Sequence, residues 1–282
     1  MKMRGEPDPL YVAARIVLLD ALEALGPQRD AIVLVGAQAI YLHTGAIEFE
    51  VAEYTTDADV CIDPRLLTES PELESALTSA GFYRGTRVGA WVMARLIIGD
   101  PVNVEVDLMV PEALGGPGRR AARLVGHGDQ VARKARGLEA ALIDQREMTV
   151  AALDSTDGRR FQIAVAGPAA LIVSKLHKIR ERVAERDRRR VDDKDALDVL
   201  RLLQAIPTAV LARTMHELSR HPIARDITRE AVTALESLFS RPASPGAEMA
   251  ARAAGALAAP EQVAQSVAFL TTDLLRALSS KP

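Results

Sequence analysis

Cysteine is almost missing from this chain: Cys61 stands alone among 282 residues, so no internal disulfide can form and a thiolate zinc cage is excluded. Long apolar runs are missing too. Charged residues interrupt every helical stretch well short of the roughly 20 apolar residues that span a bilayer. The segment Met1 to Pro9 carries Lys2, Arg4, Glu6, Asp8 and two prolines where a signal peptide would be hydrophobic. A soluble, cytoplasmic protein with no membrane partner is expected. The five histidines, at positions 43, 127, 177, 216 and 221, show no metal-ligand spacing. No internal repeat is found. A net charge of -3 gives no global attraction to nucleic acid, although it leaves room for a local basic face.

The periodicity that is present divides the chain in two. Leu10 to Leu25 has apolar residues at helical spacing and stops at Gly26-Pro27. Ala31 to Val35 is a continuous branched apolar run, the pattern of a buried strand, and it feeds through Gly36 into a further helix. Asp57 to Ile62 reads as a strand ending at Asp63-Pro64, and Glu72 to Ala80 as a helix. Ala94 to Ile98 and Val102 to Val110 form a hairpin about Gly99-Asp100-Pro101. Residues 111 to 137, rich in glycine and arginine, read as a mobile loop, and a second hairpin spans Met148 to Val165. From Gly167-Pro168 onward only helical patterns follow, punctuated by prolines. The fold class expected is α+β, a mixed sheet with flanking helices (residues 1–165) followed by an all-helical domain (166–282) that contributes to the active-site cleft.

Phosphoryl and nucleotidyl transfer need carboxylates placed to hold Mg²⁺, with Mn²⁺ as an alternative, because the cation neutralises phosphate charge. On a strand, residues two apart share a face, so Asp57 and Asp59 both reach such an ion. Asp107 lies on the face of its strand opposite Val104, Val106 and Leu108, and joins the pair as a third metal ligand or as a base. Gly36, opening a helix after a buried strand about twenty residues earlier, presents backbone amides suited to triphosphate oxygens.

This combination resembles the nucleotidyltransferase superfamily, in which a glycine turn precedes Asp-x-Asp and a third carboxylate follows in the sheet. Ala37 stands where serine is commonest, which leaves the backbone contact alone. The run Gly36-Ala37-Gln38-Ala39-Ile40-Tyr41-Leu42-His43-Thr44-Gly45 is similar to the AbiE-type toxin, or MenT-like, branch. Lys175 and Lys194-Asp195, followed by Ala196-Leu197-Asp198, fit that branch's downstream pattern. The resemblance implies Asp57, Asp59, Lys175 and Asp195 as catalytic residues, and Gly36, Ala37 and Lys175 as nucleotide-binding residues. Lys178 competes with Lys175 and Asp198 with Asp195. It further implies a nucleoside triphosphate substrate, a pyrimidine triphosphate among the options, and an RNA acceptor, the 3′ end of tRNA, whose modification blocks aminoacylation and translation. A cognate antitoxin is implied as partner. Two alternatives stay open: nucleotidylation of a small molecule or protein, and a non-catalytic regulator on the same fold.

Basic residues gather at Arg119, Arg120, Arg123, Arg133, Lys134 and Arg136, and again from Lys175 to Lys194 with Arg188-Arg189-Arg190 as the densest run. Either cluster can track an RNA backbone or form a solvated face. Trp91 and Tyr83 are options for base stacking or for core packing. Thr55 and Thr56 abut the acid pair, where a phosphate would repel the triphosphate.

Overall fold

A computed structural model describes residues 7–45, 55–184, 193–255 and 258–280. The first helix, α1 (Pro9–Ala24), starts where Asp8 accepts a hydrogen bond from the Leu10 N–H at 2.8 Å and Pro9 supplies a pre-set φ at the first helical position. Its apolar stripe, including Ala14, Val17, Leu18 and Leu22, is buried against the sheet.

The strands are β1 (Ile32–Val35), β2 (Asp57–Ile62), β3 (Tyr83–Arg84), β4 (Ala90–Ile97), β5 (Asp100–Pro111), β6 (Arg133–Ala135), β7 (Gln145–Ala151) and β8 (Arg160–Ala166). They form one mixed sheet in the order β3-β4-β5-β2-β1-β8-β7, with β6 also on β5. β1 is central and buried along its whole length, as its unbroken Ile-Val-Leu-Val requires. It runs antiparallel to β2 and parallel to β8, while β5 runs parallel to β2. β4 pairs with β5 from Ile97↔Asp100 up to Ala90↔Asp107, and β6 takes over the vacated edge from Met109 onward.

That last pairing corrects the reading of residues 111–137 as a mobile loop. The buried Trp91 donates its indole N–H to the Val131 carbonyl at 3.0 Å, the Ala122 N–H bonds the Ala132 carbonyl, and Leu124, Val131 and Ala132 are buried. Local glycine content gave no sign of this, because the partners that order the segment lie on a strand about forty residues away. The first hairpin also turns one residue early, at Ile98-Gly99, with both residues at positive φ.

The remaining helices are α2 (Gly36–Thr44), α3 (Leu73–Ser79), α4 (Pro168–Ala184), α5 (Lys194–Ala205), α6 (Thr208–Leu218), α7 (Arg225–Phe239), α8 (Pro245–Ala254) and α9 (Pro260–Ser279). The chain divides into two compact units: Met1–Ala39, Ala52–Ala135 and Gln145–Ala166 form the first, and Ile40–Val51, Arg136–Asp144 and Gly167–Pro282 the second. In the helical unit, the Asp144 carboxylate accepts from the Ala170 N–H at 2.9 Å and so satisfies an open amide in the first turn of α4. α4 packs on α5 and α7, and α8 packs on α5 and α9. No helix among the described residues is long and apolar enough to cross a membrane.

Candidate active site

In the sheet unit, β2 alternates half-buried Asp57 and Asp59 with buried Ala58, which puts both carboxylates on one face. Register fixes their neighbours. Val35, the last residue of β1, pairs with Asp59, so Gly36 comes directly alongside that acid. Gly36 has φ +70, and a Cβ placed there would stand 2.7 Å from Asp59 Cβ. Only glycine fits this approach, for both reasons at once. On the other side, Asp59 pairs with Asp107 and Asp57 with Glu105 of β5. Four carboxylates therefore form two ranks on adjacent strands.

Four hydrogen bonds set this arrangement. Buried Arg15 of α1 donates from Nε to Gln38 Oε1 at 2.7 Å and from Nη1 to the Ala151 carbonyl at 2.8 Å. Gln38, on the first turn of α2, in turn donates from Nε2 to the Asp57 carbonyl at 3.1 Å, tying the glycine-turn helix to the acid strand. Thr55, 1% exposed, donates its hydroxyl to Asp57 Oδ1 at 2.7 Å, so this oxygen is already in use, whereas Thr56 is exposed.

Two arginines face the acids. Arg87 Nη2 lies 2.5 Å from Glu105 Oε2, and Arg87 Nη1 lies 3.4 Å from Asp107 Oδ2, while Arg133 Nη2 reaches the same Asp107 oxygen at 3.3 Å. Partial burial works against the Arg87 charge, but Asp107, Glu105 and Asp57 outweigh it and push its pKa upward. Among the described residues no three histidine, cysteine, aspartate or glutamate side chains are grouped so as to hold a metal ion. Asp107 is 4% exposed, and its carboxylate meets two guanidiniums. A hard cation such as Mg²⁺ nonetheless needs only one or two protein carboxylates when phosphate and water oxygens complete its shell. Asp57 and Asp59, half-buried and on one face, fit that need.

A second polar cluster lies within the helical unit. Lys175 of α4 is 6% exposed, and its Nζ lies 2.6 Å from Asp195 Oδ1 and 2.8 Å from Asp198 Oδ2. The two aspartates are three apart on α5 and thus share its inward face. Asp195 also binds Arg182, and Lys178 at 3.2 Å, while Asp198 binds Arg201 at 3.3 Å. Burial opposes ionisation of Asp195, but Lys175, Lys178 and Arg182 prevail and hold its pKa far below the usual carboxylate range. The Lys175 pKa stands well above its ordinary value, since Asp195 and Asp198 overcome the cost of burial.

A sequence profile described as nucleotidyltransferase matches residues 14–219, well over half of the chain. The chain belongs to this nucleotidyltransferase family. No curated protein matches it. The profile match in this nucleotidyltransferase begins within α1 and runs past α6, and so takes in the Gly36 turn, the acid strands and the Lys175 cluster.

The structure brings Gly36 against Asp59, sets Ala37 in the first turn of α2, and aligns Asp107 with Asp59. Lys175 engages both of the aspartates that competed for one role, and Lys178 is the more exposed lysine. Trp91 is core, with the Arg84 guanidinium 5.5 Å from its ring centroid, and Tyr83 is exposed. Arg188-Arg189-Arg190 lies outside the described residues. Sequence reasoning missed Arg15, Gln38, Arg87, Glu105 and Arg133 as parts of the site. Gln38 was visible inside the glycine-turn motif, Glu105 shares the polar alternation of β5 with Asp107, and Arg133 stood out only as part of a basic cluster; Arg15 and Arg87 had no local signal.

Proposed function

We propose that this nucleotidyltransferase is a toxin-type enzyme of the AbiE/MenT-like branch, acting in the cytoplasm. It transfers a nucleoside monophosphate from a nucleoside triphosphate to RNA, at the 3′ end of tRNA, which blocks aminoacylation. The observation that carries the reading is the seating of Asp59 against Gly36, with Asp57 on the same strand face. Asp57 and Asp59 would hold Mg²⁺, which supplies neutralisation of phosphate charge and a more acidic acceptor hydroxyl when bound. The backbone N–H groups at Gly36 and Ala37, at the positive end of α2, receive phosphate oxygens; Ala37 contributes no side-chain bond. The acceptor oxygen forms a bond to the α-phosphorus as the bond to the bridging oxygen breaks, pyrophosphate leaves, and the hydroxyl proton passes to a carboxylate of the site. In the helical unit, Lys175 supplies the cation that the resemblance calls for, and Asp195 and Asp198 orient its ammonium group.

An RNA acceptor is supported by Arg119, Arg120 and Arg123. All three are exposed, and none joins an ion pair among the described residues. Their segment is fastened to the sheet through β6, so the charges are presented on a folded surface, which suits contact with a phosphate backbone. A toxin of this kind requires a cognate antitoxin as its partner.

The test is incubation of the purified protein with total RNA, Mg²⁺ and each α-labelled triphosphate in turn. Label is expected in the tRNA fraction with one triphosphate and is expected to vanish with Asp59→Ala. Label appearing in protein or in a small molecule, with none in RNA, refutes the RNA reading.

A further inference from the structure

We propose that Arg87 and Arg133 are the triphosphate-binding side chains of the sheet unit, and that they hold Asp107 only while the nucleotide is absent. The inference rests on the reading of Asp57 and Asp59 as the metal pair. Asp57, Asp59, Glu105 and Asp107 share one face of β2 and β5, and the guanidiniums of Arg87 and Arg133 stand against the two acids of β5. Two cations thus stand against the acids of β5, and the field of Arg87 also reaches Asp57 on β2.

The contacts differ in quality. Arg87 holds Glu105 at 2.5 Å, a tight charge-assisted bond, whereas Asp107 is met at 3.4 and 3.5 Å by Arg87 and at 3.3 Å by Arg133. Long contacts of this kind break at little cost. Arg133 is also left incomplete, because its Nε is buried and has no hydrogen-bond partner. A buried donor without an acceptor is unfavourable until an acceptor arrives. Meanwhile the Arg87 side chain keeps 55% of its surface in solvent and the Arg133 side chain 30%, so both remain open to an incoming anion.

A guanidinium presents forked donors that match phosphate oxygens at closer range than the 3.3–3.5 Å contacts it makes with the Asp107 carboxylate. Arrival of a triphosphate therefore gives the pair a better partner and releases Asp107. The carboxylate that β2–β5 pairing sets beside Asp59 then becomes free to serve the reaction. Until that moment the arginines screen the acids and hold metal affinity down, so that cation and triphosphate are taken up together.

The experiment uses the full-length protein and two base-independent probes. Mn²⁺ binding without nucleotide is followed by the loss of the free-ion EPR signal, and inorganic triphosphate binding in Mg²⁺ is followed by calorimetry, with orthophosphate as comparator. Arg133→Gln and Arg87→Gln are expected to tighten Mn²⁺ binding severalfold and to weaken triphosphate binding about tenfold, the loss of roughly one charge-assisted hydrogen bond, with little change for orthophosphate. Weaker Mn²⁺ binding in these variants, or unchanged triphosphate binding, overturns the exchange. If Arg133→Gln fails to fold, the exposed Arg87→Gln decides the matter alone. Asp59→Asn separates the two readings. If it leaves Mn²⁺ binding unaltered, the metal pair is misassigned and the exchange falls with it; if it abolishes binding while the arginine variants alter nothing, only the exchange falls.

Discussion

Replacing Lys175 with methionine removes the cation that the Asp195 and Asp198 carboxylates share, while the side chain keeps nearly the same length and volume. Breaking a buried ion pair by deleting one partner costs about 3–5 kcal/mol, because the other charge stays buried. Here the lower end of that range applies. Asp195 retains Arg182 and Lys178, and Asp198 retains Arg201 at 3.3 Å. About 3 kcal/mol corresponds to a fall of roughly 6–12 °C in the melting transition of the helical unit, at about 2–4 °C per kcal/mol. The raised pKa of Lys175 means that its contribution is complete below the unfolded value of about 10.4 and is lost as pH climbs through the folded value. The lowered pKa of Asp195 means that its contribution is complete above about 3.9 and is lost as pH falls through the folded value. The gap between wild type and Lys175→Met should therefore be level between about pH 5 and 9 and should narrow at both extremes. Thermal melts followed by helical circular dichroism across that range test this. A variant melting within about 2 °C of wild type throughout would refute the view that these buried ion pairs stabilise the helical unit.

Gly36→Ala should abolish nucleotide transfer and destabilise the sheet unit by about 2 kcal/mol or more, since the left-handed φ costs about 1–2 kcal/mol and the added Cβ displaces Asp59. Wild-type activity with an unchanged denaturant midpoint would disprove the close approach. Charge reversal at Arg119, Arg120 and Arg123 should weaken tRNA binding and lower the slope of log affinity against log salt by about 2–3, roughly one unit for each phosphate no longer neutralised. Equal slopes for variant and wild type would remove this segment from the RNA surface.

The elements most legible in the sequence were those whose signals are local. The unbroken Ile32 to Val35 run, the alternation along Val102 to Leu108 and the prolines spacing the later helices each follow from periodicity or from a missing N–H, and the structure has elements in those places. The acid pair was legible for the same reason, because a two-residue spacing on a strand fixes its face. What register decides was hidden. That Asp107 meets Asp59, and that Arg87 and Arg133 converge on Asp107, depends on β2–β5 and β5–β6 pairings between segments tens of residues apart. The glycine-rich stretch after β5 misled because glycine content reports local freedom, whereas its order comes from distant contacts at Trp91 and Met109. Ile98 misled in the opposite sense: a β-branched residue is a poor candidate for positive φ, yet it takes the first place in the hairpin turn.

Trp91 is the only tryptophan in the chain, and its indole N–H ends on the Val131 carbonyl. Its emission is therefore an optical gauge of a single junction, the one that fastens the basic segment to the edge of the sheet. Loosening of that segment should shift the emission to longer wavelength as water replaces the carbonyl, while the far-ultraviolet signal of the helical unit stays constant. Local release near the arginines and global unfolding can thus be told apart in one cuvette, with no label attached.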